Sequence, residues 1–205
     1  IINNDFFPKE KNFKLIKDFE HNFISLCNGT LVSFDFSHEE KNKISVENFN
    51  YKKEKNSAKK NSLNFLNHAL ASGGFSLEIS ENYKLKKPLV IYNNFSNLLK
   101  ETIVNYKNSI IINENSELNL INYIDNSSKE NFMVNTIESI KMKKNSSLNN
   151  ILINNSKCNG YFYRYIKSDL EKNSNLENYL ISSGLKFNKL DIEINLNEEY
   201  SKSSI

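Results

Sequence analysis

Three histidines, two cysteines and a few close carboxylate pairs are the residues of this chain whose chemistry could build a site. His21, His38 and His68 occupy separate contexts with no HExxH or HxH spacing, so no metal centre can be assembled from them. His68 follows Asn67 on a helical stretch and reads as a packing histidine. Cys27 and Cys158 stand far apart, outside any CxxC and away from histidine, which excludes a zinc knuckle and a disulfide framework and fits a reducing compartment. Cys158, in SKCNG, falls at a turn, where an exposed thiolate could accept a persulfide or a soft metal, and an ordinary turn cysteine is the plainer reading. Cys27 lies in a hairpin and reads as strand filling. The acids Glu39-Glu40, Asp191 with Glu193, and Glu198-Glu199 are close in sequence. In DIEINL, Asp191 and Glu193 share a strand face, as a glycosidase or lyase built on a solenoid would need. Leu190, Ile192, Ile194 and Leu196 take the opposite, inner face, so the two acids solvate the outside. GxSxG, GxxxxGK[ST] and GxGxxG do not occur. No catalytic, cofactor-binding or metal-binding residue is assigned, and the chain is not read as an enzyme.

The elements that must carry these residues are bounded by composition. With 205 residues, 39% of them hydrophobic, the chain can bury a real core. A net charge of +3 does not point to a polyanion, and no nucleic-acid partner is expected. The longest apolar runs, such as Leu89 to Tyr92, are far short of the roughly 18 residues that span a bilayer, so no membrane helix is expected. The first residues, IINNDFFPKEKNFK, have none of the features of a secretory leader, and the expected location is the cytoplasm. An Ile start and a stop at SKSSI just after a strand-like run read as a fragment lacking both natural ends.

FISLCNGTLVSFDF, from Phe23 to Phe36, predicts a hairpin, with Asn28-Gly29 supplying the positive-φ residues of its turn. NYKKEKNSAKKN, at 50–61, has little to bury and reads as a solvated connector. The expected division is 1–60, an N-terminal segment with hairpin and linker, and 61–205, the core. SLNFLNHALASGG predicts a short amphipathic helix capped by Ser62, with Leu63, Leu66 and Leu70 on its apolar face, ending at Gly73-Gly74. FSLEIS and LVIYNN, on either side of Pro88, predict strands.

A repeat then decides the architecture. NSELNLINYI from Asn115, NSSLNNILIN from Asn145 and NSNLENYLIS from Asn173 begin 30 and 28 residues apart. Each places a leucine at its fourth position, Leu118, Leu148 and Leu176, ahead of an apolar cluster. Strands that recur at one phase without intervening helices bury their inner faces by stacking coil on coil. A β-solenoid is therefore favoured over a β-sandwich, which needs no returning NSxL corner.

LNHALASGGFSLEISENYKLKKPLVIYNN, Leu66 to Asn94, resembles the lead-in to the core of the SufB/SufD family of iron-sulfur cluster assembly proteins. In that family an LNxAxxxxG helix leads to a strand, a charged turn and a proline-led apolar strand, here Leu66, Asn67, Ala69, Gly74, Phe75 to Ser80, Pro88 and Leu89 to Tyr92. SIIINENSELNLINYI and FMVNTIESIKMKKNSSL resemble the coils that follow, so the likeness runs over roughly residues 20 to 205. It implies mainly β structure: a right-handed parallel β-helix preceded by a small α/β N-terminal segment. KKPLVIYNN is similar to SufD more than to SufB. The resemblance implies a scaffold subunit that pairs with SufB-like and SufC-like proteins, the latter an ATPase, and leaves room for a homodimer through the β-helix. It implies a transient iron-sulfur cluster at the complex interface, with the family's cluster-associated residues beyond the C-terminal end of this chain. Neither Cys27 nor Cys158 is assigned to it. The competing reading is a β-solenoid carbohydrate-active enzyme or adhesin.

Overall fold

A computed structural model describes residues 15–51, 61–96, 99–126 and 129–205, with the backbone alone for 125, 126 and 155–157. Most of the connector expected at 50–61 lies outside the described residues. The structure is mainly β, a solenoid of about 4 turns with one small helix.

The hairpin forms as its turn residues dictate. β1 (Asn22–Cys27) and β2 (Thr30–Asp35) pair antiparallel. Asn28 and Gly29, at φ 48° and 81°, make the turn between them. β3 (Ile44–Asn48) pairs antiparallel with β4 (Phe75–Ile79), and β1 pairs parallel with β5 (Leu89–Phe95), so strands from both sides of residue 60 share one sheet.

From there every pairing is parallel. One face of the solenoid stacks β5, β7 (Glu117–Asn126) and the first parts of β9 (Ser147–Leu170) and β10 (Asn175–Leu196). The other stacks β4, β6 (Thr102–Ile112), β8 (Phe132–Met142) and the second parts of β9 and β10. β9 and β10 are long because each runs across the corner between the two faces. Alternation sends Leu118, Leu148 and Leu176 inward as one register column, and burial of each contributes about 1.5–3 kcal/mol. β11 (Lys202–Ser204) adds three residues against the start of β10.

The Asn-Ser corners are what keep the coils in phase. Asn115, Asn145 and Asn173 all adopt left-handed backbone conformations, φ 57°, 58° and 58°, which asparagine tolerates better than most residues. Each donates its side-chain amide to the asparagine one coil back: Asn173 to Asn145 at 3.0 Å, Asn145 to Asn115 at 2.9 Å, and Asn115 to Asn82 at 2.9 Å. The following serines are buried, and Ser146 and Ser174 each donate to a carbonyl of their own turn at 2.6 Å. Asn82 (φ 55°) and Tyr200 (φ 60°) turn the same corner in coils where the Asn-Ser pair is not present.

α1 (Ser62–Leu70) lies on the outer side of the second face, and two expectations about it are corrected. The cap is Asn61, not Ser62: its extended backbone lets Oδ1 accept from the Asn64 amide at 2.9 Å. The inward side is Asn64 and Asn67 together with Leu63, which packs against the cluster of Ile137, Tyr163 and Tyr165, while Leu66 is half-buried and Leu70 is 58% exposed. The surface beneath is mixed. Asn67 Nδ2 donates to the carbonyls of Asn135 at 2.7 Å and Tyr106 at 3.2 Å, while Asn135 Nδ2 donates to the Leu63 carbonyl at 2.9 Å. The Tyr163 hydroxyl lies 3.0 Å from Asn64 Oδ1 and 2.7 Å from Asn61 Nδ2. The helix thus grips three successive coils. Gly73 and Gly74 do not cap it. Ala71 is the C-cap, and Gly74, at φ 113°, runs so close to β6 that a Cβ there would overlap the Lys107 carbonyl.

Candidate functional site

The inner columns of both faces are apolar except in one region. β5, β7 and β9 send Asn93, Asn122, Asn150 and Asn154 inward. β6 and β8 send in Tyr106, Asn108, Thr136 and Glu138, and the register of β9 sets Arg164 beside Thr136. A polar seam therefore runs along the lumen. Asn150 Nδ2 donates to Asn178 Oδ1 at 3.0 Å, Asn122 Nδ2 to Asn150 Oδ1 at 3.3 Å, and the Tyr106 hydroxyl to Asn93 Oδ1 at 3.1 Å.

Glu138 and Arg164 are the charged groups of the seam. They line one small chamber, and no ion pair within 4.0 Å joins them. Burial pushes the Glu138 carboxyl up from its ordinary value, against the opposing pull of Arg164 and Asn108. Burial pulls the Arg164 guanidinium down, and it pushes the Tyr106 phenol up. Such a group of polar side chains inside an apolar solenoid can hold solvent within a closed core. The seam had no short-range signal in the sequence, because Glu138 and Arg164 meet only through coil register.

The residues singled out earlier fall elsewhere. Asp191 and Glu193 do face outward, yet they are not merely solvated. The Tyr163 hydroxyl lies 2.9 Å from Asp191 Oδ2, and the Tyr165 hydroxyl donates to Glu193. These acids support the tyrosines beneath α1. Glu39 is a structural clamp: its carboxylate accepts from the Lys86 and Lys87 amides, from Asn22 Nδ2 at 2.7 Å and from the Tyr83 hydroxyl at 2.7 Å. Glu198 accepts from the Lys172 amide at 3.1 Å, and Glu199 pairs with Lys172 at 3.5 Å.

Cys158 lies within β9 at the corner where that strand passes between the two faces, half-buried against the core, and pairs with Leu185 between two register shifts. Cys27 ends β1, and burial pushes its thiol up. The histidines stay apart: His21 Nε2 lies 2.7 Å from the Tyr92 hydroxyl, and His68 Nδ1 2.7 Å from Lys107 Nζ. His38 contributes a field that helps lower the exposed Glu20 carboxyl, after the Lys87 contact that dominates it. Among the described residues no three His, Cys, Asp or Glu side chains are grouped to hold a metal. No helix among them is long and apolar enough to cross a membrane.

Parallel coils and left-handed asparagine corners around a mostly apolar core define a β-solenoid. The family model described as SUF system FeS cluster assembly, SufBD core domain, matches residues 94–205, more than half of the chain, and the chain belongs to that family. A search of curated proteins finds no match. The matched span covers β6 to β11 and the three Asn-Ser corners, whereas the LNxAxxxxG stretch that first suggested the family lies upstream of it.

Proposed function

We propose that this chain is a SufD-like scaffold subunit of the SUF machinery, pairing with a SufB-like subunit and a SufC-like ATPase, and that it is not itself an enzyme. The observation that carries the reading is the SufBD core match laid over an unbroken parallel stack. A nascent iron-sulfur cluster is the cargo of such a complex, formed where subunits meet. Soft-metal cargo calls for thiolate or imidazole ligands, which the reading places at the seam between subunits.

The geometry suits the role. Strands stacked in parallel register give a stiff body on which a second solenoid can dock. A stack with hydrogen-bonded corners passes an ATPase's motion to a distant interface instead of absorbing it. The proposed setting is the cytoplasm. A carbohydrate-active solenoid would need free carboxylates aimed into an open groove, and Asp191 and Glu193 are instead engaged by tyrosines.

Co-purification of the full-length protein with SufB-like and SufC-like partners tests this. Recovery of both is expected. Recovery of neither would remove the reading.

A further inference from the structure

We infer that the lumen holds two ordered water molecules, one bridging the Glu138 carboxyl to the Arg164 guanidinium and one beside Asn154.

Four observations lead there. Glu138 is 7% exposed, Asn108 5% and Asn154 5%, and although the Asn108 side chain hydrogen-bonds the Glu138 carboxyl, the atoms Glu138 Oε1, Asn108 Oδ1 and Asn154 Oδ1 are left without a partner in the protein. A buried polar atom left without a partner costs about 1–3 kcal/mol, so native structures satisfy nearly all of them. Second, Glu138 and Arg164 face one chamber without touching, although a buried charge needs a partner. Third, two adjoining chambers share Leu152 and Arg164 as walls, one including Asn108 and Glu138, the other Asn154. Fourth, each has a volume of about 10 Å³, the size of a single water site.

Water matches this chemistry better than an ion does. The guanidinium offers only donors, while the orphaned oxygens are acceptors, and one water can accept from Arg164 and donate to Glu138 Oε1 and Asn108 Oδ1. A small anion would meet the Glu138 carboxyl and the amide oxygens; a cation would meet Arg164. The second chamber is also lined by Ser182 and Asn188 of β10. The first water thereby links Glu138 to Arg164 across neighbouring coils, and the second satisfies Asn154.

A crystal structure of the full chain at a resolution that shows ordered solvent tests the proposal. Density for a water within hydrogen-bond reach of both Glu138 and Arg164, and for another at Asn154, is expected. Dry chambers, direct contact between the two side chains, or an ion in the first chamber would overturn it. Urea unfolding gives a second readout. R164Q should lower the midpoint, whereas E138Q, whose amide mimics the neutral carboxyl that burial favours, should not, and the double variant should differ from the sum of the two. Losses that add would show that the two groups are uncoupled. Should the variants fail to fold, the crystal structure of the unaltered chain decides alone.

Discussion

Asn145 donates its side-chain amide to Asn115 at 2.9 Å across one coil, and both residues hold the left-handed backbone conformation. The same side chain therefore turns the corner and links it to the next. N145A removes both contributions and should cost about 2 kcal/mol, from roughly 1 kcal/mol of backbone preference and a comparable hydrogen-bond loss. N145G keeps the conformation and should cost less. Urea midpoints of the two variants check the order.

The polar contacts of α1 make Asn67 more important to its seating than the exposed Leu70. N67A leaves the Asn135 and Tyr106 carbonyls without their donor and should cost about 2–3 kcal/mol. L70S, at an exposed position, should change stability by less than about 0.5 kcal/mol. Thermal unfolding of the pair distinguishes this arrangement from leucine-stripe packing.

Gly74 cannot carry a side chain. A G74A substitution adds a Cβ against the Lys107 carbonyl at φ 113°, combining backbone strain with overlap. A loss of at least about 3 kcal/mol, or failure to fold, is expected. Circular dichroism of the purified variant, or its recovery in inclusion bodies, reads the outcome.

Two carboxyls should give opposite pH signatures. Burial pushes Glu39 up, but its hydrogen bonds from Tyr83, Asn22, Lys86 and Lys87 outweigh it and leave the group below 4.5. Its contribution is present above pH 4.5 and is lost as the pH falls through its lowered folded value. E39Q should flatten that acid limb. Glu138 is raised above 4.5, so its contribution is full below that pH and fades as the pH rises through its folded value. E138Q should remove this second slope. Stability measured from pH 3 to pH 8 separates the two.

The solenoid was legible because its corner residues do local work that repeats. A left-handed Asn, a buried Ser and an inward Leu recur at Asn115, Asn145 and Asn173, and no tertiary knowledge is needed to see them. The flanking corners escaped notice because Tyr83 follows Asn82 where a serine was expected, and Tyr200 takes the asparagine's place. Of the apolar face of α1, Leu63 packs against the solenoid, but periodicity could not show that Asn64 and Asn67 also face inward, because the carbonyls and the tyrosine hydroxyl they meet come from distant coils. Cys158 looked like a turn residue because Asn, Ser, Lys and Gly surround it, but strand pairing carries that polar stretch through a corner. The lumen was out of reach for another reason. Inward positions of a strand are read as apolar, and nothing near Glu138 in the sequence announces Arg164.

α1 fastens to β6, β8 and β9 at once, through Tyr106, Asn135 and Tyr163. Three coils held by one short rod cannot rotate past each other without breaking one of those bonds. The helix is therefore a splint against torsion, so a torque applied at one end of the stack reaches the other end with little lost to internal twist.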